Sequence, residues 1–225
     1  MTGEGRSSSR ETLQLFDWRR RVTDLYAEIR AAVDPRAAWD QWRRVRHELL
    51  TAHPQSPIAE VGRGSFPGAE YFDYDPAFRF VADVGEAEPE HFDVQGSAGE
   101  SFGFTRFGTA RFDHEGEALS LGLYWMDGYA GGLFLSFRDA TSGKTTYGAG
   151  RYLFDTVKGA DLGSEGDRLI LDFNFSYNPS CAYDPSWACP LAPPDNRLPV
   201  AIRAGEKSPP GPDRSGQAKR AHPEG

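Results

Sequence analysis

The stretch TARFDHEGEALSLGLYWMDGYAGGLFLSFR, residues 109–138, decides how the rest of the chain is read. Three runs rich in Phe, Leu, Tyr and Trp, at 109–114, 118–126 and 133–138, are separated by Glu115-Gly116 and by a Gly-rich link. Glu115-Gly116 predicts a hairpin tip, and connections this short require antiparallel neighbours. Outward from here the same pattern continues. Runs at 78–84, 100–107, 146–156, 168–176 and 198–204 bring the candidate strands to eight, with Ser142-Gly143 as a second tip. No helical pattern of 10–15 residues falls between them, which argues against a doubly wound parallel sheet. The expectation is a mainly β protein of the α+β class: an antiparallel β-barrel or β-sandwich with two N-terminal helices packed against it.

Those helices carry their own signals. Ser8 followed by Glu11 is a capping box, and Leu15, Trp18, Val22, Leu25, Tyr26, Ile29 and Val33 recur at spacings of three and four. Asp34-Pro35 supplies the cap and first turn of a second helix with the stripe Ala38, Trp39, Trp42, Val45, Leu49 and Leu50, ending near His53. The chain thus divides into a disordered N-terminus (1–10), a helical hairpin (11–53), a β-barrel or sandwich domain (54–206) and a polar, Pro/Gly-rich tail (207–225) expected to be disordered. No fixed-period repeat is visible.

Charge narrows the function classes. The net charge of −8 resolves into about −12 on the body at 54–206 and about +2 on each flank. An acidic body repels phosphate backbones, so no nucleic-acid partner is expected. The apolar runs fall short of the roughly 20 residues that cross a bilayer, and the first ten residues lack a signal-peptide pattern, so a cytoplasmic protein with no membrane partner is expected. Nucleophile-elbow, dinucleotide and P-loop motifs are absent, and none of His47, His53, His91, His114 and His222 stands in a metal-binding spacing. No cofactor and no metal is therefore expected. A monomer or a homodimer fits equally.

Strand alternation points to polar groups on one sheet face. In 168–175, Leu169, Leu171, Phe173 and Phe175 share one side, and Ile170, Asp172 and Asn174 the other. Arg151 lies among Tyr147, Ala149 and Leu153; if buried it needs a carboxylate or a ligand anion, and Asp172 or Glu206 could serve. The segment DFNFSYNPSCAYDPSWACPLAPPDNRLP, 172–199, contains a long aromatic and Pro-rich loop that must either pack or function. Its Cys181 and Cys189 are the only cysteines of the chain. Two buried thiols, a disulfide and a pair of metal ligands remain open as readings.

The runs FRDATSGKTTYGAGRYL (137–153) and LDFNFSYNPSCAYDPSWACPLAPPDNRLPVAIRAGE (171–206), with HPQSP (53–57) and YFDYDPAFRF (71–80) upstream, resemble the bacterial and archaeal domain-of-unknown-function family 1684. The resemblance implies no activity, since the family is named for lacking one. Its hallmark positions here include Asp139, Tyr147, Arg151, Tyr152, Asn174, Tyr177, Asn178, Cys181, Cys189, Asn196, Gly205 and Glu206. If their strands are neighbours, these groups converge on one rim or cavity. The favoured function is binding of a small anionic or carbonyl-bearing molecule in a β-barrel cavity. Arg151 would anchor it, with Tyr147, Tyr152, Asn174, Tyr177, Asn178 and Trp187 around it. The alternative is a cofactor-independent hydrolase, isomerase or cyclase using Asp172, Glu206 or His53 as acid or base. A structural or partner-binding domain docking through its helices is the third reading, and whether the chain is an enzyme stays open.

Overall fold

Ser8 and Glu11 open the first helix as their spacing predicts. The Ser8 hydroxyl accepts from the Glu11 N–H at 3.2 Å and the Glu11 carboxylate accepts from the Ser8 N–H at 2.7 Å, starting α1 (Ser9–Ala31). Asp34 caps α2 (Pro35–Ala52), which stops at His53 before Pro54. A single turn, α3 (Glu60–Arg63), follows. The computed structural model describes residues 8–97, 99–129 and 131–210, so the expectations for 1–7 and 211–225 lie outside the described residues. Residues 207 and 208 are tied down: their N–H groups donate to the Glu70 and Thr145 carbonyls at 2.8 and 3.0 Å.

Among the described residues, seven strands form one antiparallel sheet: β1 (Arg79–Gln95), β2 (Ser101–His114), β3 (Glu117–Met126), β4 (Gly132–Phe137), β5 (Arg151–Asp155), β6 (Ser164–Glu165) and β7 (Arg168–Asp172). Their order is β5-β4-β3-β2-β1-β7-β6. The opening stretch reads correctly, since β2 and β3 turn at Glu115 (φ 55°) and Gly116 (φ 82°), the two left-handed residues of a tight hairpin. The expected strands at 100–107 and 109–114 are one strand with a register shift between Arg106 and Gly108. Strand β1 outruns its expected end at 84. Beyond Ala82 it pairs with β2 alone, and its own register shift, between Glu86 and Glu90, leaves Pro89 where no ladder N–H is needed.

A closed barrel does not form. After Asp172 the chain enters a 3-10 helix, Phe173–Phe175, instead of the strand expected to run to 176. The far edge of the sheet meets this chain at one point, where Tyr152 of β5 and Tyr177 exchange N–H···O bonds of 2.8 and 3.0 Å. The ladder is otherwise open at this seam. The segment 198–204 is not a strand either. Its first part binds Arg138 and Ala140, and the carbonyls of Ile202, Ala204 and Glu206 go to the Arg151 guanidinium rather than to a neighbouring strand. Similarly, 146–150 is a turn, and β5 begins only at Arg151.

The helical hairpin lies over the seam. Leu25, Tyr26, Trp39 and Trp42 share a core with Leu121, Leu135, Leu153, Phe173 and Phe175 of the β body. Burying such side chains fully contributes roughly 1.5–3 kcal/mol each, which fixes the hairpin on the sheet. Gly159, after β5, shows how closely α1 approaches. It sits at φ 92°, and a Cβ there would meet the Thr23 hydroxyl and come within 2.8 Å of the Thr23 nitrogen. Any other residue would push α1 off the seam. Among the described residues, no helix is long and apolar enough to cross a membrane.

Candidate functional site

Two arginines, Arg151 buried and Arg46 half-buried, organise the region, and they do different things. Arg151, 1% exposed, donates Nη2 to Asp139 Oδ2 at 2.8 Å and to the Ile202 carbonyl at 3.0 Å. Its Nη1 donates to the carbonyls of Ala204 and Glu206. Burial lowers its pKa, against the opposing pull of Asp139. The carboxylate beside it is thus Asp139, not Asp172 or Glu206, and the guanidinium acts as a strap for the last segment of the body. It lines none of the cavities described below.

Arg46 reaches Glu206 from the other side. It follows Trp42 by one turn of α2 and binds Glu206 bidentately, Nε to Oε1 at 2.9 Å and Nη2 to Oε2 at 2.8 Å. Glu206 also accepts from the Tyr183 hydroxyl at 2.7 Å and the Asn178 N–H at 2.5 Å. Burial opposes the Arg46 charge, but the Glu206 carboxylate holds its pKa well above the ordinary value. Gly205 allows this approach: at φ 74°, a Cβ would lie 2.6 Å from the Ser176 carbonyl oxygen.

Above this pair, between α1, α2 and the seam, is a partly enclosed cavity of about 80 Å³. Trp18, Tyr26, Trp42, Tyr152 and Tyr177 give it aromatic walls, and Arg46, Asp155, Lys158, Asn178 and Cys189 add polar atoms. Most of those atoms are committed. Tyr152 donates its hydroxyl to the Pro190 carbonyl, Asn178 donates Nδ2 to the Lys207 carbonyl at 2.7 Å, and Lys158 pairs with Asp155 Oδ2 at 3.0 Å. Asp155 Oδ1, Asn178 Oδ1 and the Tyr26 hydroxyl, on residues each 2% exposed, have no partner in hydrogen-bond geometry. Burial pushes the Tyr26 pKa up, so the phenol stays neutral. The buried atoms left without a partner here are therefore two acceptors and one hydroxyl.

Of the residues singled out in the sequence, Tyr152, Tyr177 and Asn178 line this cavity, and Glu206 lies behind it through Arg46. Asn174 instead clamps Asp75: its Nδ2 donates to the Asp75 carbonyl at 2.8 Å and its Oδ1 accepts the Asp75 N–H at 3.0 Å. Asp172 accepts from Asn174 and faces a separate pocket beside Arg79; burial raises its pKa to about 6. His53 sits on the outer side of the hairpin, where Nδ1 accepts from the Gln55 N–H at 3.0 Å and Nε2 lies 3.3 Å from Asp17. Burial lowers its pKa in spite of Asp17. Tyr147 touches Cys181, and the Trp187 carbonyl accepts from Ser97 at 2.6 Å. The three expected acids and bases are thus in three places.

Trp18, Tyr26, Trp42, Arg46, Asp155 and Lys158 were not anticipated. The first three belong to apolar helix stripes, which look the same whether they fill a core or wall a cavity. Arg46, placed four residues after Trp42 on the buried stripe, was the available signal. Cys181 and Cys189 are both buried free thiols. Among the described residues no group of three or more His, Cys, Asp or Glu is placed to hold a metal ion.

Comparisons with known proteins give a family and a similar structure but no activity. A family model described as "Protein of unknown function (DUF1684)" matches residues 64–207. No curated protein matches the chain. The solution NMR structure of an uncharacterized protein from Haloarcula marismortui is similar, with 36% identity and a TM-score of 0.55 over 75% of this chain and 91% of that one.

Proposed function

From the premise that the chain belongs to the DUF1684 family of proteins of unknown function, we propose that it binds a small molecule in the cavity between the helical hairpin and the sheet seam. The observation that carries the reading is a set of unpartnered buried atoms on residues that line an aromatic-walled space: Asp155 Oδ1, Asn178 Oδ1 and the Tyr26 hydroxyl. A buried acceptor left without a donor costs roughly 1–3 kcal/mol, a cost that a bound donor relieves. Both cations at the cavity already have carboxylate partners. With Arg151 strapped to Asp139 and three carbonyls, an anionic or carbonyl ligand has lost its expected anchor. The ligand class that fits best carries hydroxyl or amino donors on an apolar frame.

Acid–base catalysis draws less support, because Glu206 has all its contacts filled by Arg46, Tyr183 and Asn178 while Asp172 and His53 face other surfaces. Titration of tryptophan emission tests the proposal, since Trp18 and Trp42 wall the cavity. Cyclohexanol should give a saturable change with Kd on the order of 1 mM, as expected for a fragment of this size. Cyclohexanecarboxylate, of the same frame, should bind at least tenfold more weakly. Equal binding of the carboxylate, or no saturable change with either probe, would overturn the reading.

A further inference from the structure

Cys181 and Cys189 lie eight residues apart in sequence and are brought together by two separate anchors. Cys181 is in a 3-10 helix, Ser180–Ala182, and donates its N–H to Cys189 Sγ at 3.3 Å. Cys189 is pinned to the end of β1: its N–H donates to Ser97 Oγ at 3.0 Å, its carbonyl accepts the Ser97 N–H at 3.0 Å, and Pro190 bridges to Gly96. Tyr147 Oη is 3.9 Å from Cys181 Sγ. Both thiols are buried; Cys189 forms part of the cavity wall, and Cys181 lies behind it, its N–H on the Cys189 sulfur, so the cavity is the route by which a small reagent would approach the pair.

We propose that Cys181 and Cys189 are a thiol oxidation site at which hydrogen peroxide, approaching through the cavity, drives reversible formation of an intramolecular disulfide. The Cys181 thiolate attacks one peroxide oxygen; the O–O bond breaks, an S–O bond forms, and the leaving oxygen departs as water after taking up a proton. The Cys189 sulfur then attacks the Cys181 sulfenic acid. The S–S bond forms, the S–O bond breaks, and hydroxide leaves with the Cys189 proton as a second water. Two thiols lose two electrons and the peroxide is reduced to two waters. The Tyr147 hydroxyl lies 3.9 Å from the Cys181 sulfur, and the adjacent Cys189 thiol lowers the Cys181 pKa against the effect of burial, whereas the neighbouring Cys181 sulfur and burial raise that of Cys189. Cys181 is accordingly the attacking sulfur and Cys189 the resolving one. Nothing in this requires the cavity to bind a resident ligand.

The test is intact mass and thiol counting on the full chain before and after hydrogen peroxide. The folded wild type should lose the mass of two hydrogens, show no free thiol on denaturation without reductant, remain monomeric by mass, and recover both thiols with dithiothreitol. Cys189→Ser should instead gain oxygen at Cys181, and Cys181→Ser should react at least tenfold more slowly; a circular dichroism melt of each variant confirms that it is folded. Two thiols persisting in peroxide-treated wild type, sulfinic acid as its main product, or a disulfide formed only between chains would overturn the proposal. Cyclohexanol titration of the reduced protein is read separately, so failure here leaves the ligand reading intact, and the reverse.

Discussion

Replacing Arg151 by methionine separates a structural strap from a ligand anchor. The side chain is 1% exposed and its Nη2 lies 2.8 Å from Asp139, whose own side chain is fully buried. Methionine keeps much of the volume but leaves the Asp139 carboxylate without its counterion, and removes the donors that hold the carbonyls of Ile202, Ala204 and Glu206. Breaking a buried pair from one side costs about 3–5 kcal/mol. For a protein of this size that is a fall in Tm of roughly 6–20 °C. Urea denaturation followed by tryptophan emission gives the free energy by linear extrapolation. Asp139→Asn provides the second arm: the Arg151→Met/Asp139→Asn double variant should cost less than the sum of the single ones by about 1–3 kcal/mol, because neither charge is then orphaned. A loss under about 1 kcal/mol in Arg151→Met, with additive single effects, would refute the strap.

Asn196 offers a second structural test. It is fully buried, donates Nδ2 to the Gly122 and Ser136 carbonyls at 3.0 and 2.9 Å, and accepts the Gly122 N–H at 2.7 Å, so Asn196→Ala should cost about 3 kcal/mol in the same urea assay. Burial holds the Asp172 pKa at about 6 in the folded chain, above its unfolded value. The folded state therefore retains a proton that the unfolded state releases, and stability falls as pH rises between about 4 and 6, by up to about 3 kcal/mol. Asp172→Asn should flatten that slope in denaturation curves taken across this range; an unchanged slope would assign it to other groups. Tyr26→Phe removes a buried hydroxyl that has no partner. It should leave stability unchanged or raised and weaken cyclohexanol about 2- to 10-fold, the worth of one hydrogen bond. A stability loss above about 1 kcal/mol would show that the hydroxyl is already satisfied.

Local chemistry was legible wherever a few neighbouring residues determine it. The Ser8/Glu11 box, the Asp34-Pro35 start of α2 and the Glu115-Gly116 turn each depend on contacts within four residues, and each reads correctly. The errors share a different cause, which is long-range competition for backbone groups. Residues 198–204 have a strand pattern, but the Arg151 guanidinium takes the carbonyls of that segment's later residues. Leu169 to Phe175 alternate like a strand, yet Asp172 caps a 3-10 helix by accepting the Asn174 N–H, and 171–176 are buried throughout. The distal half of β1, with Glu86, Glu88, Pro89 and Glu90, is largely exposed and lacks the apolar alternation that marks a strand. Tyr152, Tyr177 and Asn178 line the cavity because they stand beside the seam. Arg151 carried the right burial and the wrong role, since whether a guanidinium meets a ligand or a carbonyl depends on a segment fifty residues away.

Whether the cavity under the hairpin holds a small molecule is decided by intermolecular nuclear Overhauser contacts. In a sample of the full chain with labelled leucine methyls and saturating cyclohexanol, the ring protons should contact Leu25, Leu49 and Leu50, which line that cavity. Contacts confined to Leu13, in the outer groove beside His53, would contradict the account. So would the absence of any contact at concentrations where tryptophan emission saturates.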